Sequence, residues 1–188
     1  MKLFKSRPYL LDDIILIGIM AVLAGCGLIY EYLLSHYASR ILGVVESTIY
    51  TMIGLMIVSM GFGSFAAKHF KDPFTSFAWL ESIIALLGIT CILIIAASVS
   101  FGSLLPQVVA EVFNLPADLR PQGGFFATLR SVSYFTPYFF GALIGFLIGM
   151  EIPLIARVRE MVYGQHLEHN TGTIYGADYI GAGIGAAV

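Results

Sequence analysis

The sequence predicts an all-α, polytopic helical membrane protein, and three observations carry that prediction. Of 188 residues, 58% are hydrophobic and only 12% are charged, against about 25% charged in a soluble domain. The mean hydropathy is +0.87. Four long stretches, Ile14–Tyr30, Ser47–Ala67, Ser82–Ala110 and Ser131–Met150, carry no charge at all. Such a chain cannot cover its own surface in water.

About 20 residues of helix cross the ~30 Å hydrocarbon core. In lipid the backbone must satisfy its own hydrogen bonds, and these runs lack the two-residue alternation of a barrel strand. Helices are therefore expected near 12–38, 46–69, 74–100 and 124–156, with a fifth over 171–188. The fifth stops before it crosses fully, so the chain is expected to be a fragment of a longer protein. Lys2, Lys5 and Arg7 precede the first run like a signal n-region. That run is too long for a cleaved signal and no small-residue cleavage site follows it cleanly, so an uncleaved anchor is expected.

Basic residues set the topology. Lys2, Lys5, Arg7, Lys68, Lys71, Arg157 and Arg159 fall on one side, and Arg40, Arg120 and Arg130 on the other. The positive-inside rule then places the N-terminus in the cytoplasm. Tyr30, Tyr32 and Tyr37 belong to an outer aromatic belt, and 101–123 forms the long outer connection. Pro106, Pro116 and Pro121 with Gly123-Gly124 argue against one continuous helix there. Gln107–Leu115 is expected as a short interfacial helix.

Glycine recurs with a period. Gly141, Gly145 and Gly149 share one face of the fourth helix; Gly172-Gly176, Ala177-Gly181-Gly185 and Ala21-Gly25 follow the same rule. Small residues at i, i+4 let backbones approach closely, which drives helix association in lipid. Static packing is the plainer account, a gating face the sharper one. The run Met60-Gly61-Phe62-Gly63-Ser64 lacks a preceding strand and a third glycine for a nucleotide loop, and more simply thins the second helix for a neighbour. Pro137 frees a carbonyl one turn earlier, which Ser133 or a neighbour could satisfy.

Ionisable groups are few. Glu31 lies about 27 Å above Asp13 at 1.5 Å per residue, near the outer interface, where Arg130 begins the fourth helix. A Glu31–Arg130 outer pair would make each cheaper to bury. Glu81 and Asp178 lie roughly 12 Å into their helices, and Glu151 about 9 Å above Arg157. These three carboxylates share the inner-leaflet layer. Such a layer is either a cation or proton site, or a set of groups each bonded to a neighbouring helix terminus, a hydroxyl or Arg157; the second account is the plainer.

Other chemistries have little support. The net charge of -2 and scattered basic residues argue against nucleic acid. Cys26 and Cys91 lie in apolar runs and are expected as buried, inert thiols. His166 and His169 sit three apart around Glu168 on a cytoplasmic loop without the further ligands zinc needs. His36 and His69 belong to opposite faces. No histidine lies at a depth to pair with Ser59 or Ser64 as a nucleophile.

Five stretches, in order, resemble one family: Gly27-Leu28-Ile29-Tyr30-Glu31, Met60-Gly61-Phe62-Gly63-Ser64, Leu80-Glu81, Gly149-Met150-Glu151-Ile152-Pro153-Leu154 and Tyr175-Gly176-Ala177-Asp178-Tyr179-Ile180-Gly181-Ala182. The chain resembles the membrane domain of the bacterial membrane-bound spermidine synthase-like proteins, the polyamine aminopropyltransferases. The resemblance implies a bundle somewhat like half of a major-facilitator transporter, in the bacterial inner membrane, followed by a cytoplasmic Rossmann-like transferase domain. It implies aminopropyl transfer from decarboxylated S-adenosylmethionine to putrescine, giving spermidine and methylthioadenosine. The glycine-rich nucleotide loop and the acidic residues of that chemistry are missing from this chain, so it supplies no catalytic, cofactor-binding or metal residue. The expected partners are the lipid bilayer, the chain's own downstream domain and polyamine, with a homo-oligomer allowed. The alternative is a transporter-like bundle that binds cations through its inner carboxylates without enzymatic activity.

Overall fold

The computed structural model describes residues 10–116, 123–163 and 167–187. They form five helices: α1 (Leu10–Leu42), α2 (Val45–Ala66, followed by a short 3-10 turn at Ala67–His69), α3 (Pro73–Val112), α4 (Phe125–Tyr163) and α5 (Leu167–Ala187). No strand occurs among the described residues. Helices α1 to α4 are long and apolar enough to cross a membrane. Helix α5 is not among them, since it opens on Glu168-His169-Asn170 and carries Asp178.

Helices α1, α3, α4 and α5 run longer than expected, and the ends of α1 and α3 show how they close. Helix α1 continues to Leu42, where Gly43 adopts a positive φ of 77° and donates its N–H to the Ser39 carbonyl at 3.1 Å. A left-handed glycine is the common way to close a helix, and here it turns the chain directly into α2. Helix α3 begins at Asp72, whose Oδ1 accepts from the backbone N–H groups of Phe74 and Thr75, with Pro73 in the first helical position. That proline has no N–H to leave unsatisfied.

The expected break at Pro106 does not occur. Helix α3 runs through it to Val112, so Gln107–Leu115 is no separate interfacial helix. Proline removes one N–H and crowds the carbonyl four residues back. Ending the helix would have left several backbone groups unpaired instead. The helix closes only at Asn114 (φ 47°), where Leu115 donates to Ala110 at 2.8 Å.

Helix α4 is the centre of the bundle and touches each of the other four. Three apolar clusters follow its length. Phe140 and Ile144 meet Leu34, Ala38, Met52, Met56, Cys91 and Ile95. Met150 and Leu154 meet Ala67, Leu80 and Ile84, and Ile155 meets Met20 and Ile174. Outside this core, Phe65, Trp79, Ile89, Leu93 and Phe135 are each more than 60% exposed, an apolar exterior of the kind that water does not tolerate in a monomer. Cys91 is buried as expected, whereas Cys26 lies on the bundle surface.

The glycine faces divide into those in contact and those not. A Cβ at Gly145 would meet the backbone of Met56, and one at Gly149 the backbone of Met60. One at Gly63 would collide with the Phe146 carbonyl, so α2 and α4 thin each other. Gly181 meets the Ala21 carbonyl and Gly185 that of Gly25, which seats α5 on α1. Gly172 and Gly176 meet nothing within 4 Å. Their spacing matches the packing rule, but they lie off the α1 contact.

Gly149→Ala should destabilise by more than the about 1–3 kcal/mol of ordinary overpacking, because the atoms it meets are backbone. Gly54→Ala, with nothing within 4 Å, should be neutral or stabilise by up to about 1 kcal/mol. The thermal midpoint of purified protein in detergent separates the two. At the head of α3, hydrogen bonds from the Thr75 hydroxyl, then from backbone N–H groups, hold the Asp72 carboxyl below its ordinary range. A depressed carboxylate stabilises above its unfolded pKa and loses that stabilisation as pH falls through the folded value. The destabilisation by Asp72→Ala should therefore be present at neutral pH and shrink as pH drops below the carboxylate range, which melts across a pH series measure.

Candidate functional site

Pro153 lies inside α4 and has no N–H for the Gly149 carbonyl four residues earlier. Ser64 of α2 fills that vacancy, its hydroxyl donating to Gly149 O at 2.8 Å. The same hydroxyl lies 3.1 Å from the Met60 carbonyl. Pro137 is treated differently: the Ser133 hydroxyl donates to Leu129 O at 2.9 Å rather than serving the carbonyl the proline frees.

Two residues beyond Gly149, Glu151 faces a cavity of about 220 Å³, room for on the order of seven waters. Its polar lining is Glu31 of α1, Ser64 of α2, Glu151 of α4 and Asp178 of α5. Glu151 is 4% exposed and makes no hydrogen bond or ion pair with any described residue. Asp178 reaches the cavity because the glycine contacts seat α5 on α1, with Ala182 one turn on along the same wall.

The three expected inner carboxylates are neighbours: the charges of Glu81 and Asp178 both act on Glu151. Glu81 is nevertheless not part of the cavity lining, and its Oε1 is buried without a hydrogen-bond partner among the described residues. The alternative that Arg157 serves Glu151 is not what the structure forms. Arg157 Nη1 donates to the Ala67 carbonyl at 3.1 Å, closing the end of α2.

Glu31 and Arg130 do not pair. Arg130 donates from Nε and Nη2 to the Tyr134 hydroxyl, both at 3.2 Å, and its guanidinium carbon lies 5.5 Å from that ring centroid. It belongs to the α3–α4 contact, since a Cβ at Gly102 would meet Ser133 Oγ and the Arg130 Cα. Glu31 instead faces α2 and α5. Depth along the helix axis matched them, but helix rotation set them apart.

Two features were missed. Arg159 holds Asp13 through Nη2 at 2.8 Å and Nε at 3.1 Å, with side chains 6% and 31% exposed. This ion pair ties the first turns of α1 to the end of α4. Glu31 also belongs to the cavity, and Ala24, Gly27, Leu28 and Glu31 at i, i+3, i+4 and i+7 already mark one helix face. The described residues contain no group of three or more ligands that could hold a metal ion. His166 lies outside the described residues, as does the His169 side chain.

A second cavity, of about 750 Å³, lies towards the other end of α1. Its walls come from α1, α2 and α5, including Ile29, Ser35, His36, Ile49 and Ile53. The Ser35 hydroxyl there is buried and has no hydrogen-bond partner among the described residues.

Over 183 residues, 97% of its length, the chain is 63% identical to a polyamine aminopropyltransferase of Shewanella oneidensis. It is a relative of the polyamine aminopropyltransferases. Two such proteins of Streptomyces coelicolor match at 27% and 29% identity over 86% and 95% of this chain. The chain spans 32% of the Shewanella protein and 25% and 29% of the Streptomyces ones, about a third or less of each. No family model matches the chain, and no solved structure matches it.

A buried carboxylate without a partner opposes folding. Read from the thermal midpoint in detergent, Glu151→Gln should leave stability unchanged or raise it, by up to about 2–3 kcal/mol. Ser64→Ala should lower it by on the order of 1 kcal/mol, by leaving the Gly149 carbonyl without its donor. Opposite signs at two walls of one cavity would mark Glu151 as a group kept for something other than stability.

Proposed function

We propose that this chain is the membrane-embedded part of a bacterial aminopropyltransferase of the spermidine-synthase type. The observation that carries the proposal is the 63% identity to the Shewanella protein over nearly the whole chain. The full protein would transfer an aminopropyl group from decarboxylated S-adenosylmethionine to putrescine. The putrescine nitrogen forms the new bond to carbon, methylthioadenosine leaves, and the amine proton passes to a base. None of that machinery is assigned to this chain; it belongs to a transferase domain elsewhere in the protein.

The role of this part is to anchor that domain and to handle its cationic amine. Four long apolar helices and an apolar exterior support residence in the inner membrane. The distribution of Lys and Arg supports a cytoplasmic N-terminus, which puts the Asp13–Arg159 end on the cytoplasmic side. Glu151 and Asp178 line the cavity, with Glu81 beside them as a further negative charge. An ammonium group there would offset the cost of burying those carboxylates. The same cavity supports the second reading, a cation-binding bundle without transferase activity.

Two assays on purified full-length protein separate these readings. Spermidine should form from decarboxylated S-adenosylmethionine and putrescine. Labelled spermidine should also bind, and the combined Glu81→Gln, Glu151→Gln, Asp178→Asn variant should lose that binding. Binding without transfer would favour the transporter-like bundle. Binding that survives the loss of all three carboxylates would sink the amine-handling role.

A further inference from the structure

Glu31 and Leu28 line both cavities. The inner cavity is walled by α1, α2, α4 and α5, the outer one by α1, α2 and α5, and the two meet at this single turn of α1. Each contains a polar side chain that is almost wholly buried and makes no hydrogen bond with any described residue. These are Glu151, 4% exposed, in the inner cavity and Ser35, 1% exposed, in the outer one. Among the described residues, neither lining contains a lysine or an arginine.

We propose that the two cavities form one path for a small organic ammonium ion. It enters from the end opposite the Asp13–Arg159 pair and passes Glu31 to reach Glu151 and Asp178. Gly27 on α1 is level with Ile148 on α4. Glu31 lies one turn beyond Gly27, and Glu151 nearly a turn from Ile148 in the opposite direction. The two carboxylates are thus about 10 Å apart along the bundle axis. They do not converge, and no group of described residues offers a metal its ligands. Separated carboxylates suit a cation handed from one to the next, or one that carries two separated charges.

The outer wall narrows the ligand class. Leu28, Ile29, Leu33, Ile49 and Ile53 line it beside Ser35 and His36. Apolar walls with a few polar groups accommodate methylenes as well as an ammonium head. A bare hydrated ion would gain nothing from them. The carboxylate at the junction lowers the cost of carrying positive charge past the apolar middle of the bundle. The choice of an amine rests on the function proposed above; the path itself does not.

The test uses full-length protein in sealed vesicles, with Leu28→Cys as the reporter and the protein without that cysteine as blank. The probes are two membrane-impermeant methanethiosulfonates, one bearing a trimethylammonium group and one a sulfonate. Added at the end opposite Asp13–Arg159, the cationic reagent should modify the cysteine at least about tenfold faster than the anionic one, the lower range for a charged cleft. Glu31→Gln should remove most of that preference, and Glu31→Asp, which keeps the charge, should retain it. The path is overturned if the cysteine is unreactive from that end, or if there is no charge preference. It is equally overturned if the preference survives Glu31→Gln, or if Glu31→Asp abolishes it as fully. Saturating spermidine should slow the cationic reagent. If the preference holds and spermidine leaves the rate unchanged, the amine reading fails and the path stands.

Discussion

The close approach of α2 and α4 is the constraint on which the rest of this bundle depends. It combines two backbone facts. Glycines at 63, 145 and 149 remove the Cβ atoms that would hold the helices apart. Pro153 removes the N–H that would have occupied the Gly149 carbonyl. The first lets Ser64 come within 2.8 Å of that carbonyl, and the second gives its hydroxyl an acceptor to bond. Inside a packed bundle, a carbonyl freed by proline is relieved where a neighbouring helix supplies a donor, and Ser64 supplies it here. The proline and the glycine face are therefore one device.

The cavity follows from that device and from its counterpart at the other side of α1. Where Gly181 and Gly185 meet Ala21 and Gly25, the backbones of α1 and α5 are in contact. Close contact on two seams leaves a gap between them, and the gap is lined by Glu31, Ser64, Glu151 and Asp178. Side chains of ordinary size on those seams would have spread the helices and opened the carboxylates to their surroundings. Instead Glu151 is enclosed without a partner among the described residues, a state that costs free energy unless a cation or a proton relieves it. The burden on stability is the physical reason to look for function there rather than at the bundle surface.

The carboxylate layer was partly legible in the sequence and partly not. Rise per residue puts Glu81, Glu151 and Asp178 at one depth; Glu151 and Asp178 line one cavity, and Glu81 is outside its lining. Depth carries no information about rotation around the axis. For that reason Glu31 and Arg130, which match in height, point into different helix contacts, and Glu31 belongs with Glu151 instead. Gly172 and Gly176 match the spacing of Gly181 and Gly185 and meet nothing, because a spacing rule does not name the face a neighbour occupies. Pro106 illustrates the opposite limit. Local propensity argued for a break, but a single missing hydrogen bond was the smaller cost, and α3 continues through it.

The sequence by itself determined that the chain is helical, where the long apolar elements lie, and that α4 presents a glycine face. Composition and hydropathy along one chain report how much surface must leave water, and period reports which residues share a face. It also contains Pro153, whose missing N–H leaves the Gly149 carbonyl without its helical partner, although sequence reasoning singles out only Pro137 in this way. Only the tertiary structure decided that Ser64 is the donor, that Arg157 and Arg159 serve Ala67 and Asp13 rather than Glu151, and that Glu31 joins two cavities. Each of those is a choice among partners far apart in the chain. It is made by how the helices rotate and seat on one another, which no single helix encodes.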